Sequence, residues 1–212
     1  MKARLLPLLL LPAGLGLFAA EPAASDSGMV WVEENDPAAA DIRRVGEQAM
    51  DAVGRTFLVE VRRETAASVA AAVDKLHLKD YKPPASAAGQ PVITAVRHTS
   101  LRLRNPANAP DAADLSALDL IKQKLDNGDD VPHLLVQKLT TPGQPVEWRV
   151  YQPLGLAKQC VVCHGPADEI EPAVSAALKA KYPGDKATDY STGDWRGIFR
   201  ISLLSAADAP KK

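Results

Sequence analysis

Several features that would assign a function class are absent from the sequence. The net charge is only −1 and no basic cluster appears, so no electrostatic pattern indicates a nucleic acid or an anionic membrane as partner. No nucleotide-binding glycine motif, no nucleophile-and-base arrangement and no internal repeat is present. After the N-terminal segment, no apolar run is long enough to cross a bilayer. A signalling role would therefore require a separate polypeptide as signal transducer.

The chain has only two cysteines, and both lie in one stretch, Cys160-Val161-Val162-Cys163-His164. A CxxCH stretch is the attachment signature of c-type haem, in which the two thiols bond to the haem vinyl groups and the adjacent histidine is the proximal iron ligand. The alternatives are a zinc half-site, a redox CxxC and a disulfide. Zinc lacks a second cysteine pair, and no βαβ pattern supports a thioredoxin-like motif. The stretch therefore predicts one covalent haem c, with His164 on the iron.

The first 20 residues predict export. Lys2 and Arg4 form a positive n-region, residues 5–18 are almost wholly apolar, and two alanines follow. This pattern is typical of a secretory signal peptide. Phe18 is a poor residue three positions before the expected cleavage site, so an uncleaved N-terminal anchor is the alternative. A cleaved signal predicts a periplasmic or secreted protein with no membrane span, which suits a haem attached after translocation.

Hydrophobic periodicity divides the remainder into an extended leader at 21–35, a haem c domain at 36–204 and a polar tail at 205–212. Asp36-Pro37 should start a long amphipathic helix to about Arg63, followed by an Ala-rich helix to His77. Further helices are predicted at 111–127 and 172–181, and strands at 92–103, 133–139, 146–156 and 197–204. Helices first, followed by an antiparallel sheet with helical inserts, indicate an α+β fold.

Four sequence blocks occur together between about Thr94 and Ser202. They are HTSLRLRNPANAPD from His98 to Asp111, YQPL from Tyr151 to Leu154, CVVCHG from Cys160 to Gly165, and KYPGDKATDYSTGDWRG from Lys181 to Gly197. In this order the blocks resemble the extracytoplasmic haem c domains of the DUF3365, or Tll0287-like, family. The resemblance implies a PAS-like sheet with a long N-terminal helix pair around one haem c, and a role in redox or ligand sensing.

The chain departs from the family pattern in two places. Asp189 stands where relatives usually have a glycine before the tyrosine. Relatives often place a cysteine at the end of the Ala-rich helix as the second iron ligand, whereas this chain has Leu76-His77 there. His77 is therefore the first candidate for the sixth iron ligand. The other candidates are His98, His133, Met29, Met50 and an open or water-filled site. His98 lies among arginines on a strand face, which favours a solvated surface position.

Four further residues are candidates for contact with the haem. Arg102, Arg104 and Arg196 could pair with the two propionates, because a guanidinium matches the geometry of a carboxylate. Tyr151 could pack on the macrocycle. The alternatives are an ordinary surface charge for each arginine and ordinary core packing for the tyrosine.

The sequence thus predicts a periplasmic monohaem c-type cytochrome that acts in electron transfer or redox sensing through Fe(II)/Fe(III) cycling. Its partner would be a redox protein or a separate signal transducer, and the sequence does not indicate an oligomeric state. The alternative is a gas-binding or peroxide-reactive haem protein with an open distal site. Ligation by His77 would fill that site, so an electron carrier or sensor is expected rather than a catalyst.

Overall fold

The computed structural model describes residues 28–75 and 85–209. The predicted signal peptide and His77 lie outside the described residues. The strands are β1 (Gly28–Trp31), β2 (Val92–Thr99), β3 (Leu135–Thr140), β4 (Glu147–Gly155) and β5 (Trp195–Leu204). The α-helices are α1 (Ala40–Ala67), α2 (Val69–Lys75), α3 (Ala112–Asn127), α4 (Val161–His164) and α5 (Pro172–Lys181). Within these ranges no helix combines the length and apolar character needed to span a bilayer.

The strands form one antiparallel sheet in the order β1-β3-β4-β5-β2. The predicted α+β fold, a PAS-like antiparallel sheet with an N-terminal helix pair and helical inserts, is confirmed. β1 was not predicted, because it falls inside the segment interpreted as an extended leader. Gly28 to Trp31 pair with Thr140 to Gln137 at the edge of the sheet, so the folded unit begins before residue 36.

Local sequence signals set the ends of the long N-terminal helix. Asp36 accepts a hydrogen bond from the backbone amide of Ala38 at 2.8 Å, and the proline between them opens a 3-10 turn that leads into α1. α1 continues past its predicted end at Arg63, because Ser68 is the first residue to leave the helical conformation. The Ser68 hydroxyl then accepts from the amide of Ala71 at 3.3 Å, at the start of α2.

The two faces of the sheet carry different helices. α1 covers one face, where Met50 and Val53 pack with Val150 and Ile201. The approach is close at Gly46, where a Cβ atom would stand 2.5 Å from the side chain of Val150. α3 covers the other face and packs its apolar side chains on the sheet. That second cluster contains Leu118, Ile121, Tyr151 and Ile198. Consecutive residues of a strand therefore contribute to opposite cores.

A buried charge network joins the start of α3 to the sheet. Asp111 and Asp114 form a capping box at the start of α3. Each carboxylate also accepts hydrogen bonds from arginines of β4 and β5. Arg149 Nη1 lies 2.7 Å from Asp111 Oδ1, and Arg200 Nη1 lies 2.9 Å from Asp114 Oδ1. Partial burial opposes ionisation of Asp111, but its hydrogen bonds from Arg149 and Asp114 lower its pKa to about 2. Both carboxylates therefore compensate buried guanidinium groups.

We expect Asp114→Ala to lower the free energy of unfolding by about 3–5 kcal/mol, because it leaves two buried arginines short of a carboxylate. The Asp114 side chain is 0% exposed, whereas Asp119 on the same helix is exposed. Urea denaturation followed by circular dichroism measures the effect, with Asp119→Ala as the matched control. Equal unfolding midpoints for the two variants would contradict this role of the network.

Candidate functional site

A cavity of about 430 Å³ lies among α1, α2, α5 and the ends of the central strands. Its volume falls in the range of roughly 300–1,000 Å³ that is typical of sites for small molecules and cofactors. Much of its wall is apolar, with contributions from Phe57, Leu58, Val61, Leu154 and Leu178. The cavity therefore offers a largely water-excluding environment to a flat, apolar group.

The CxxCH stretch forms one wall of this cavity. β4 ends at Gly155, and a 3-10 turn over Lys158–Cys160 leads directly into α4, which ends at His164. Both cysteines and His164 line the cavity, and the two thiols are half-buried. Burial raises the pKa of both thiols above its ordinary value. The geometry thus brings two thiols and one imidazole to the same wall of the cavity.

The hydrogen bond of His164 determines which of its ring nitrogens is free. Nδ1 lies 2.7 Å from the carbonyl oxygen of Ala187. Because a carbonyl can only accept, Nδ1 must carry the proton. Burial, together with the charges of Arg104 and Arg196, lowers the pKa of His164 to about 3, so the ring is neutral. Nε2 therefore keeps its lone pair, and His164 is in the form that a metal-ligating histidine adopts.

Arg104 joins the CxxCH stretch to the segment that holds His164. Its Nε donates to Asp185 Oδ2 at 2.8 Å, and its Nη2 donates to the carbonyls of Cys163 and Ala187. The side chains of Arg104 and Asp185 are 13% and 12% exposed, so the ion pair is largely shielded from water. Arg104 lines the cavity, but its charge is already compensated. Its role in the structure is to brace the loop.

The structure separates the other two predicted arginines. Arg196 is 5% exposed and lines the cavity, where its Nη1 donates to the hydroxyl of Ser100. Arg102 is exposed and lies outside the cavity lining. Its guanidinium stacks over the ring of Tyr190 at 4.4 Å and donates to the carbonyl of Lys186 at 3.0 Å. Arg102 therefore stabilises the loop at the protein surface and does not contribute to the cavity wall.

Tyr151 does not contact the cavity. Its ring is fully buried in the cluster beneath α3, and its hydroxyl donates to Gln137 at 3.2 Å. The physical reason is strand alternation, which directs Val150 toward α1 and Tyr151 toward α3. The structure thus places Tyr151 in the core beneath α3 and not in the cavity lining, as the ordinary core-packing alternative expects.

His98 lies in the cavity wall, not on a solvated surface as expected. Its ring packs on Phe199 with centroids 5.7 Å apart, and its Nε2 is buried without a hydrogen-bond partner among the described residues. Burial, assisted by Arg196, lowers the pKa of His98 to about 3. Val96 could have indicated this position in the sequence, because residues two positions apart on a strand face the same side of the sheet. Val96 is apolar and packs against the α1 core.

The remaining candidate iron ligands lie away from the cavity. His133 is exposed, with Nε2 3.3 Å from the side-chain nitrogen of Gln152. Met50 is buried in the α1 core, and Met29 is exposed on β1. Between residues 28–75 and 85–209, no group of three or more His, Cys, Asp or Glu side chains could hold a metal ion.

A family model described as Tll0287-like matches residues 38–203. The chain belongs to the Tll0287-like family. Among solved structures, the crystal structure of the cyanobacterial heme-protein Tll0287 is 26% identical, with a TM-score of 0.39. The alignment covers 51% of this chain and 60% of that chain. No curated protein matches the sequence. The family predicted from the four sequence blocks is thereby confirmed.

The structure also accounts for the departure from the Tll0287-like pattern at Asp189. This residue has a φ of 61°, in the left-handed region that glycine adopts without cost. Its carboxylate accepts from the amide of Ala167 at 2.9 Å, and its own amide donates to the carbonyl of Gly165 at 2.7 Å. Aspartate tolerates this conformation better than most residues, because it can bond locally. Asp189 thus fastens the segment after His164 to the segment that orients its ring.

Substitutions at Asp189 should separate the effect of its backbone conformation on stability from the effect of its side-chain hydrogen bond. Asp189→Gly relieves the left-handed conformation but loses the bond from Ala167, whereas Asp189→Ala loses the bond and keeps the strain. We expect the urea midpoint to be highest for wild type, lower for Asp189→Gly and lowest for Asp189→Ala. Asp168→Ala, at an exposed position in the same loop, is the matched control. An Asp189→Ala protein as stable as Asp189→Gly would show that the conformation carries no cost.

Proposed function

We propose that this chain is a periplasmic monohaem c-type cytochrome, with haem bonded to Cys160 and Cys163 and with His164 as the proximal iron ligand. The observation that carries the proposal is the His164 ring, neutral and held through Nδ1 by Ala187, beside two thiols at the wall of one cavity. The family relationship supports it, because the solved structure of Tll0287 is described as that of a heme-protein. The predicted signal peptide supports the periplasmic location.

The residues around the cavity fit a covalently attached haem. The haem would supply an iron that cycles between Fe(II) and Fe(III). Cys160 and Cys163 would hold it irreversibly, and Ala187 keeps the proton on the far nitrogen of His164 so that Nε2 remains available. The apolar side chains of α1 and α5 in the cavity lining would shield the bound haem from water. Arg104 fixes the loop without offering an unpaired charge to the cofactor.

We further propose that His77 supplies the sixth ligand. The helix before it supports this assignment, because Ala72 and Val73 of α2 line the cavity. His77 follows the last residue of that helix, Lys75, by two positions in the sequence. A six-coordinate iron suits electron transfer or redox sensing. In that case we expect the output to pass to a separate redox protein or signal transducer.

Replacing both haem cysteines tests the covalent attachment. A Cys160→Ala, Cys163→Ala protein, expressed with the haem c maturation machinery, should lose all haem that resists acid–acetone extraction, because no thioether can form. Haem staining on a denaturing gel measures the loss. Val162→Ala is the matched control, since Val162 lies between the cysteines and is 42% exposed. Extraction-resistant haem in the double variant would overturn the proposal.

Electronic and EPR spectra test the distal ligand. Wild type should be low-spin, and His77→Ala should turn high-spin or begin to bind CO, because a coordination position opens. His133→Ala is the control, since His133 is exposed and outside the cavity lining. Low-spin spectra for both wild type and His77→Ala would assign the ligand to another residue. High-spin spectra for both would indicate an open site, and with it gas or peroxide chemistry.

A further inference from the structure

Arg196 differs from the other buried arginines in having no carboxylate partner. Among the described residues, the buried arginines are Arg149, Arg196 and Arg200. Arg149 and Arg200 both pair with Asp111 and Asp114 beneath α3. No carboxylate lies within ion-pair distance of Arg196 in the part of the chain that the structure describes. A buried charge without a counter-ion is unfavourable, so an anion is expected in its environment.

The neighbours of Arg196 leave part of its hydrogen-bonding capacity unused. Its Nη1 donates to the hydroxyl of Ser100, and its guanidinium lies 5.6 Å from the ring centre of Tyr190. Its Nε is buried and has no acceptor among the described residues. Asp185 is the carboxylate that acts on it from farther away, but this group is paired with Arg104 at 2.8 Å. Among the described residues, Arg196 Nε therefore has no acceptor, and no carboxylate lies within ion-pair distance of the guanidinium.

His98 presents a second unsatisfied polar atom in the same cavity. Its Nε2 is buried and has no partner among the described residues, and its ring packs on Phe199. His98 and Arg196 both line the cavity and interact electrostatically with each other. Buried polar atoms nearly always have a hydrogen-bond partner in native proteins. The simplest explanation for the two unpartnered atoms, Arg196 Nε and His98 Nε2, is one bound group that contacts both.

We propose that Arg196 and His98 together bind one propionate of the haem inside the cavity. This inference rests on the proposed function. A propionate supplies the missing negative charge. Its oxygens can accept from Arg196 Nε and, in the tautomer that carries the proton on Nε2, from His98. Arg104 does not serve this role because Asp185 already compensates it. Arg102 does not serve it because it lies outside the cavity lining.

The competing role for His98 is direct ligation of the iron. That role would satisfy Nε2 but would leave Arg196 without a counter-ion, so it explains only one of the two observations. A bound propionate explains both. The two roles differ in their spectroscopic consequences, because a lost axial ligand changes the iron spin state and a lost propionate contact does not.

Resonance Raman spectra of the purified holoprotein test the assignment. His98→Phe and Arg196→Gln should each shift a propionate bending band, while the spin-state marker bands stay as in wild type. The controls are His133→Phe, at an exposed histidine, and Arg97→Gln, at the neighbouring arginine of β2, which donates to the carbonyl of Ala107. Neither control should shift the propionate bands. His98→Asn and Arg196→Lys replace the first two variants if those lose the haem, and the same shifts are expected.

Each other outcome overturns the inference in a distinct way. A spin-state change in the His98 variants would make His98 an iron ligand. A shift in the Arg196 variants alone would remove His98 from the site, and no shift in either pair would place both propionates elsewhere. Covalent haem is measured in wild type from the same samples. Its absence there would refute the proposed function itself, whereas unshifted bands in a haem-loaded protein would refute only the propionate assignment.

Discussion

The hydrogen bond from His164 Nδ1 to the carbonyl of Ala187 fixes which nitrogen of the ring is available for coordination. The accepting segment is itself held in place by bonds to distant parts of the chain. The amide of Lys186 donates to the carbonyl of Leu103 at 2.8 Å, and Arg104 reaches the carbonyls on both sides of the loop. The orientation of one imidazole therefore depends on three separate regions of sequence, and this dependence gives the site its rigidity.

Four arginines with little exposure to solvent differ in whether a carboxylate lies beside them, and this difference determines the role of each arginine. Arg149 and Arg200 face α3, where two aspartates at the helix start compensate them. Arg104 faces the cavity but is compensated by Asp185, so it acts as a brace. Arg196 faces the same cavity and is not compensated by the protein. Since a guanidinium stays charged at any physiological pH, the difference among these residues lies in their partners and not in their own chemistry.

The features that sequence predicts well here are local. The Asp36-Pro37 helix start and the helix predicted at 111–127 each depend on residues a few positions apart. The features missed depend on which face of a strand meets which helix. His98 lies in the cavity wall instead of on a solvated surface, and Tyr151 lies in the core beneath α3 instead of at the cavity. Tertiary packing decides which face of the sheet meets α1 and which meets α3. An irregularity in the β2–β5 register between Ile93 and Ala95 also shifts the alternation that sequence would use.

One wall of the cavity comes from the N-terminal helices α1 and α2, and another wall comes from α4 and α5. Electron transfer and sensing would place different demands on these two walls. α2 packs on α5 through a small cluster that includes Val73, Val174 and Leu178, separate from the main core. If His77 and His164 both bound the iron, as proposed above, the haem would link the N-terminal helix pair to the CxxCH stretch. A carrier requires both walls to keep their positions as the iron changes charge. A sensor requires one to move. The α2–α5 contact has fewer buried side chains than the α1 core, so it can yield at a lower cost than that core.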